Sequence, residues 1–203
     1  MNYSISKING ITSLVDVKKK SQALALLDAI IEPEWEYRYF SFNCNWDHRS
    51  SEMMASMRDG SGNEYFLHFS TSGVVGKVLY GKKLEETSLL LASVPSCFSS
   101  FKNEAAFSVD KASFYFWKKH EDENWSALPN DLEAYPLLGF LVGDSSYYHQ
   151  WAENYYEKTI NSMVLEKVFN TLHIDSESLK ILNSEITLEE LGEDILEIFG
   201  KPI

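Results

Sequence analysis

Residues 71–78, TSGVVGKV, come close to the phosphate-binding loop of nucleotide-binding proteins. That loop has the pattern G-x-x-x-x-G-K-[ST], in which backbone N–H groups hold the phosphates and the hydroxyl binds Mg²⁺. Thr71 stands where the first glycine belongs, and Val78 stands where the hydroxyl belongs. The pattern after Lys77 continues as a strand, so the helix N-terminus that should face a phosphate is not predicted. The sequence therefore predicts strand turns rather than a nucleotide site, with Lys77 exposed on a strand.

A second group that could do chemistry combines two carboxylates, a guanidinium and an imidazole. Glu34 and Glu36 share one face of a predicted strand, Arg38 could complete a polar row, and His68 lies on a later strand. Paired carboxylates can act as general acid and base when burial separates their pKa values. On an exposed strand face they are simply solvated. These four residues are the predicted polar site if the protein is an enzyme, and no catalytic, cofactor-binding or metal-binding residue is predicted outside it.

The cysteines and histidines form no recognised metal or nucleophile pattern. No two histidines have the i, i+4 spacing of helical zinc ligands, and Cys44 with His48 is the closest approach to a Cys/His pair. With only Cys44 and Cys97 in the chain, a disulfide-rich secreted scaffold is excluded. We expect buried free thiols, and the sequence leaves a single bridge open.

A helix followed by several strands must position these groups. Leu24, Leu27 and Ile31 repeat at helical spacing, and Pro33 ends the helix because the residue before a proline avoids the α region. Alternating or aromatic-rich segments predict five strands, at 34–46, 52–58, 63–70, 74–80 and 112–120. The first four are joined by short loops, which require antiparallel pairing because a parallel crossover needs roughly a dozen residues.

The last third of the chain has helical patterns instead. Thr187 and Glu190 form a capping box for the final helix, which Gly200 ends. We therefore predict a single α+β domain over residues 1–203. It has an antiparallel meander of about five strands and an N-terminal helix in residues 1–140, with a helical part in 141–203 packed against the sheet.

The charge of the chain is −12 and lies mainly in its second half. Residues 101–203 carry 8 Lys and Arg against 19 Asp and Glu, whereas residues 1–100 carry 10 against 11. Such a field repels phosphate backbones, so nucleic acid is not an expected partner, while a basic protein could be attracted. An acidic surface also serves solubility alone. No apolar run reaches the roughly 18 residues of a membrane span, and no signal peptide is visible, so we expect a cytoplasmic protein without a membrane partner.

Aromatic residues make up 14% of the chain, and core packing accounts for most of them. Tyr and Trp bury a large area at low entropic cost, so a surplus of them is typical of protein-binding faces. Trp46, Trp125 and Tyr156 are the predicted exposed anchors for a partner.

Four segments carry a resemblance: EPEWEYRYFSFNCNW, EMMASMRDGSGNEYFLHFSTSG, WAENYYE and TLEELGEDILEIFG. Together they resemble a group of uncharacterised bacterial proteins of about this length, over most of the chain. That resemblance implies a shared fold and transfers no catalytic residue. In general character the chain is also similar to small acidic immunity proteins of the SUKH type, which bind and neutralise bacterial toxins.

Three functional hypotheses follow from the sequence. The leading one is a non-enzymatic cytoplasmic protein that binds another protein, such as a bacterial toxin. The second is a hydrolase or small-molecule-binding enzyme that uses Glu34, Glu36, Arg38 and His68 on the sheet. The third is a homodimer with a structural or regulatory role.

Overall fold

The structure is a computed structural model that describes residues 8–11, 13–81, 85–129 and 136–202. Within these ranges, six strands form one sheet in which every neighbouring pair is antiparallel. In chain and spatial order they are β1 (Phe40–Asn43), β2 (Met53–Arg58), β3 (Glu64–Ser70), β4 (Gly73–Leu79), β5 (Phe114–Lys119) and β6 (Ser126–Leu128). The predicted α+β meander is confirmed, and β6 adds a sixth strand that is too short to leave an alternating pattern.

Three glycines in or near the phosphate-loop-like segment, Gly60, Gly62 and Gly73, stand where strands reverse, whereas Gly76 lies within β4. Gly60 and Gly62, between β2 and β3, have φ angles of 67° and 94°. Gly73 opens β4 with φ 137°, and a Cβ added there would lie 2.3 Å from the carbonyl oxygen of Lys118. The φ of 137° and the close approach of Lys118 together require glycine at position 73. These glycines therefore serve hairpin turns and strand packing, as predicted.

Helices precede, interrupt and follow the sheet. The longest, α1 (Leu14–Ile31), begins after Ser13, whose side chain accepts the N–H of Asp16, and it ends just before Pro33 as predicted. The other helices are α2 (Thr87–Ser93), α3 (Ser99–Asn103), α4 (Gly139–Val142), α5 (Ser145–Tyr156), α6 (Ser162–Thr171), α7 (Ser176–Leu182) and α8 (Gly192–Phe199). None of the helices within the described ranges has both the length and the apolar character needed to cross a membrane.

The sheet is covered on both faces. Phe42 and Tyr65 belong to the larger core, which also contains the buried faces of α1, α5, α6 and α8. Phe66 and Val75 point to the other side, where they pack with buried residues of the segment that contains α2 and α3. Since successive strand side chains alternate between faces, covering both faces explains why β3, β4 and the first half of β5 are buried almost continuously.

The predicted strand over 34–46 is correct only over Phe40–Asn43, and residues 44–46 form a turn. Trp35–Tyr37 forms a single turn of 3-10 helix, and β1 begins at Phe40. The Arg38 side chain donates hydrogen bonds to two carbonyl groups just upstream, which holds the chain in a bend. Alternating aromatic and charged residues therefore mark a turn here, because local hydrogen bonds outweigh the strand preference of the aromatic residues.

The start of the last helix differs slightly from the prediction. Thr187 and Glu190 form the expected capping box: the Thr187 N–H donates to the Glu190 carboxylate at 2.8 Å, and the Glu190 N–H donates to Thr187 Oγ1 at 3.3 Å. Regular α-helix begins only at Gly192, after a short turn. The helix ends at Gly200, whose φ of 72° satisfies the predicted left-handed cap.

Candidate functional site

Arg38 fixes the turn between α1 and β1. Its guanidinium donates to the carbonyl oxygens of Glu32 at 2.8 Å and Pro33 at 2.7 Å. The same group forms a bidentate ion pair with Asp194 on α8. Arg38 is 10% exposed, and bidentate arginine–carboxylate pairs are strong and directional. The turn is therefore attached to the end of α1 and to α8 at once.

Two large aromatic side chains project from this turn into solvent. Trp35 is 58% exposed and Tyr37 is 60% exposed. Glu34 and Glu36 beside them are exposed as well, and the Glu36 carboxylate is the main cause that raises the pKa of Tyr37. The Arg58 guanidinium lies 5.0 Å from the centre of the Trp35 ring, in a cation–π contact. The turn thus presents aromatic rings within an acidic surrounding.

A second aromatic cluster lies next to this turn. Tyr39 contacts Trp151 and Tyr155 with ring centres 4.5 Å and 5.0 Å apart, and Trp151 stacks on Tyr155. The Tyr39 carbonyl accepts the backbone N–H of Arg58 at 2.9 Å, so Arg58 connects the cluster with Trp35. Tyr155 is 44% exposed. We call the following residues the aromatic–acidic surface: Glu34, Trp35, Glu36, Tyr37 and Tyr155.

The buried carboxylate of Asp28, in α1, binds the backbone that follows the turn and two tyrosines of α5. It accepts hydrogen bonds from the hydroxyls of Tyr148 at 2.6 Å and Tyr156 at 2.9 Å. It also accepts the backbone N–H groups of Tyr39 at 2.7 Å and Phe40 at 2.9 Å. Complete burial raises the pKa of Asp28 to about 6, although the hydrogen bonds act in the opposite direction. Asp28 therefore ties α1, β1 and α5 together.

The three predicted aromatic anchors do not stand out from the surface. Trp125 is only 5% exposed, so its predicted exposure is wrong. Tyr156 is partly buried, and its hydroxyl is turned inward to Asp28. Trp46 is also partly buried, and its indole N–H donates to Glu104 at 3.2 Å. Sequence alone does not tell which aromatic rings find an internal polar partner.

The sequence did contain a signal for the aromatic residues that are exposed. Trp35 lies between Glu34 and Glu36, and Tyr37 lies between Glu36 and Arg38, directly after the proline that ends α1. A helix end and a proline directly before a stretch are typical of a turn. The strand prediction for this stretch missed the turn, because alternation in a strand places Trp35 and Tyr37 on the core face.

The structure does not bring together the predicted polar site. Glu34 and Glu36 are exposed on the turn, and Arg38 is occupied by α8 and by backbone carbonyls. His68 is buried on β3, with Nε2 3.1 Å from a carboxylate oxygen of Glu52. In the described ranges, no hydrogen bond or ion pair joins any two of the four predicted residues. In the same ranges, no cluster of His, Cys, Asp or Glu is arranged to hold a metal ion.

His68 has an unusual environment for a buried polar side chain. Its ring faces Phe101 and Phe107, with ring centres 6.4 Å and 5.9 Å away. Its Nδ1 is buried and has no hydrogen-bond partner in the described part of the chain. A buried nitrogen without a partner costs free energy. His68 therefore lowers the stability of the core on the sheet face that the segment with α2 and α3 covers.

Lys77 is completely buried, so its predicted exposure is wrong. Its Nζ donates to the Glu64 carboxylate at 2.7 Å and to the carbonyl oxygens of Ser108 at 3.0 Å and Lys111 at 2.9 Å. Burial lowers the pKa of Lys77, although Glu64 acts in the opposite direction. The prediction failed because the segment after α3 covers this face of β4. Lys77 anchors that segment to the sheet.

Cys44 and His48 line a common pocket of about 440 Å³ beside α8. Burial raises the pKa of the Cys44 thiol, which favours the protonated and unreactive form. Cys44 and Cys97 are both free, as expected, but Cys97 is exposed rather than buried. The pocket therefore has no activated nucleophile.

Comparisons of the chain with protein-family models, with curated proteins and with solved structures find no match. The two resemblances drawn from the sequence therefore stay predictions. Within the described ranges, the aromatic–acidic surface combines large exposed aromatic rings, flanking charges and a fixed backbone.

Proposed function

We propose that this protein acts by binding another protein, without catalysing a reaction, and that the aromatic–acidic surface is the contact. The observation that carries the proposal is the exposure of Trp35 and Tyr37 on a turn that Arg38 holds in place. Trp and Tyr are the residue types that most often dominate binding energy at interfaces. Anchors that are already fixed lose little conformational freedom on binding, which favours affinity.

The charges around the anchors support a basic partner. Glu34 and Glu36 flank the rings, and the whole chain has a net charge of −12. Arg58 lies over the Trp35 ring at 5.0 Å, so this ring accepts a cationic group as a packing partner. Opposite charges also steer the two proteins together and raise the association rate. A bacterial toxin with a basic face, such as a nuclease, is the partner class that the likeness to immunity proteins favours.

Removing the two anchors tests this proposal. The double variant Trp35→Ala/Tyr37→Ala should fail to retain a partner that the wild-type protein captures from a lysate of the native host. Once that partner is identified and purified, titration calorimetry should show at least about thirtyfold weaker binding for the double variant. The matched control is Leu89→Ala/Met163→Ala, which removes two exposed apolar side chains from α2 and α6.

Two results would overturn the proposal. One is equal retention of the partner by wild type and by the anchor variant when circular dichroism shows both to be folded. The other is a wild-type protein that sediments as a dimer while the anchor variant sediments as a monomer. That outcome would assign the surface to self-association and favour the homodimer hypothesis.

A further inference from the structure

An apolar groove lies along α8, on the flank of the helix that faces away from Trp35. Trp35 lies beside Asp194, Glu197 and Ile198. Gly192 and Leu196 lie about half a turn around α8 from Asp194. Together with Leu188, Ile195 and Pro202 they line a groove of about 300 Å³. Leu196 is 50% exposed within it. This volume is at the lower end of the range of about 300–1,000 Å³ for ligand pockets, which suits one or two apolar side chains.

Two carboxylates border the apolar floor. Glu189 and Glu193 complete the lining of the groove, and both are exposed. Neither forms an ion pair with a basic residue in the described ranges. They also belong to the half of the chain that carries 19 acidic against 8 basic residues. An apolar floor with unpaired negative charges at its edge is complementary to an apolar side chain flanked by lysine or arginine.

We infer that the α8 groove binds a basic amphipathic segment of the partner protein, with an apolar side chain in the groove and cationic side chains on Glu189 and Glu193. The inference rests on the proposed function and specifies the partner more closely. Recognition by an amphipathic segment combines apolar anchors with charges at the edge of the groove. The Arg38–Asp194 ion pair fixes the groove's helix to the turn that bears Trp35, so one partner can contact both flanks of α8.

Gly192 provides a way to close the groove without changing its charge. A Cβ added to Gly192 meets no atom within 4 Å, and the φ angle of Gly192 lies outside the left-handed region. The variant Gly192→Leu therefore fills open space, and leucine is a better helix former than glycine. Gly192→Ala is the matched control, because it makes the same backbone change while leaving most of the groove empty.

The probe is a fluorescent fourteen-residue peptide of leucine and lysine with an amphipathic helical pattern. A scrambled peptide of the same composition keeps the charge and loses the apolar face. Fluorescence anisotropy at physiological salt should give at least about tenfold tighter binding of the amphipathic peptide to the wild-type protein. Amide chemical-shift changes should centre on residues 188–202.

The variants should separate the apolar and the electrostatic contributions. Gly192→Leu should weaken binding of the amphipathic peptide about tenfold or more, whereas Gly192→Ala should change it less than threefold. Glu189→Gln/Glu193→Gln should weaken it about fivefold. Its control, Glu166→Gln/Glu177→Gln, removes two exposed charges outside the groove and should have a smaller effect.

Equal affinity for the two peptides would overturn the inference, because binding would then depend on charge alone. Equal binding by Gly192→Leu and Gly192→Ala, or chemical-shift changes centred elsewhere, would also overturn it. The same peptide measurement on Trp35→Ala/Tyr37→Ala distinguishes the two proposals. If Trp35→Ala/Tyr37→Ala no longer captures the partner but binds the peptide with unchanged affinity, the groove and the aromatic–acidic surface bind independently. If the peptide tests fail while the wild-type protein still captures the partner, only the inference about the groove is rejected.

Discussion

Arg38 and Asp194 are 156 positions apart in the chain, and they form a bidentate ion pair that joins the first turn after α1 to the last helix. The pair is mostly shielded from solvent, with 10% exposure of the Arg38 side chain and 22% of Asp194. It therefore holds Trp35 and the α8 groove in one fixed arrangement. The surface proposed for binding is thus assembled by a long-range contact.

Replacing the guanidinium should weaken this arrangement. Arg38→Lys keeps the charge but cannot form the fork with Asp194 while also donating to the carbonyls of Glu32 and Pro33. We expect the free energy of unfolding, measured with urea, to fall by about 1–3 kcal/mol. Arg49→Lys is the control on an exposed arginine and should change it by less than about 0.5 kcal/mol. Equal stabilities for the two variants would contradict the structural role of Arg38.

Asp28 should make stability depend on pH in a definite direction. Its folded pKa of about 6 lies above the unfolded value of about 3.9, so the folded protein takes up the proton first as pH falls. The contribution to stability is therefore complete below about pH 4 and is lost as pH rises through 6. Between pH 7 and pH 4 it should raise the free energy of unfolding by roughly 2 kcal/mol relative to Asp28→Asn.

Denaturant titrations at several pH values measure this difference directly. Asp28→Asn cannot titrate, so its profile serves as the baseline, and Asp110→Asn, at an exposed site, should keep the wild-type profile. A wild-type profile parallel to that of Asp28→Asn would show that the carboxylate stays ionised, with the four hydrogen bonds outweighing burial.

Lys77 should be essential for holding the segment after α3 against the sheet. In Lys77→Ala the carbonyl oxygens of Ser108 and Lys111 lose their donor, and the side-chain contacts around them are lost too. We expect a loss of about 2–4 kcal/mol in the free energy of unfolding, with faster amide hydrogen exchange concentrated in residues 98–112. The control Lys119→Ala removes a surface lysine of β5 and should cost less than about 1 kcal/mol. Exchange that accelerates uniformly over the chain would argue against a local anchor.

His68 should be replaceable by an apolar ring. His68→Phe removes the Nδ1 that has no partner and places a ring beside Phe101 and Phe107. The gain from removing an unpaired buried nitrogen, about 1–3 kcal/mol, should exceed the loss of one hydrogen bond to Glu52, about 1 kcal/mol. Thermal unfolding should therefore occur at a higher temperature than in wild type. His120→Phe, at an exposed position, should not reproduce the increase, and a clear destabilisation by His68→Phe would contradict this account.

The sequence by itself determined the order and type of most elements, because these depend on local patterns. The alternating or aromatic-rich patterns of β2 to β5, the glycines at the hairpins, Pro33 after α1 and the capping box before α8 all act through neighbouring residues. Short loops then force antiparallel pairing. The α+β meander with its first helix and helical last third could therefore be predicted.

Only the tertiary structure decided which side chains are exposed. Lys77 is buried because a segment more than thirty residues later in the chain supplies two carbonyl groups to its ammonium. Trp125 is buried in the main core, whereas Trp35 is exposed because Arg38 bends its chain toward Asp194. Exposure depends on contacts between residues far apart in sequence, and a local sequence pattern contains no information about those contacts. For that reason the predicted exposed anchors changed, whereas the predicted α+β fold class is confirmed.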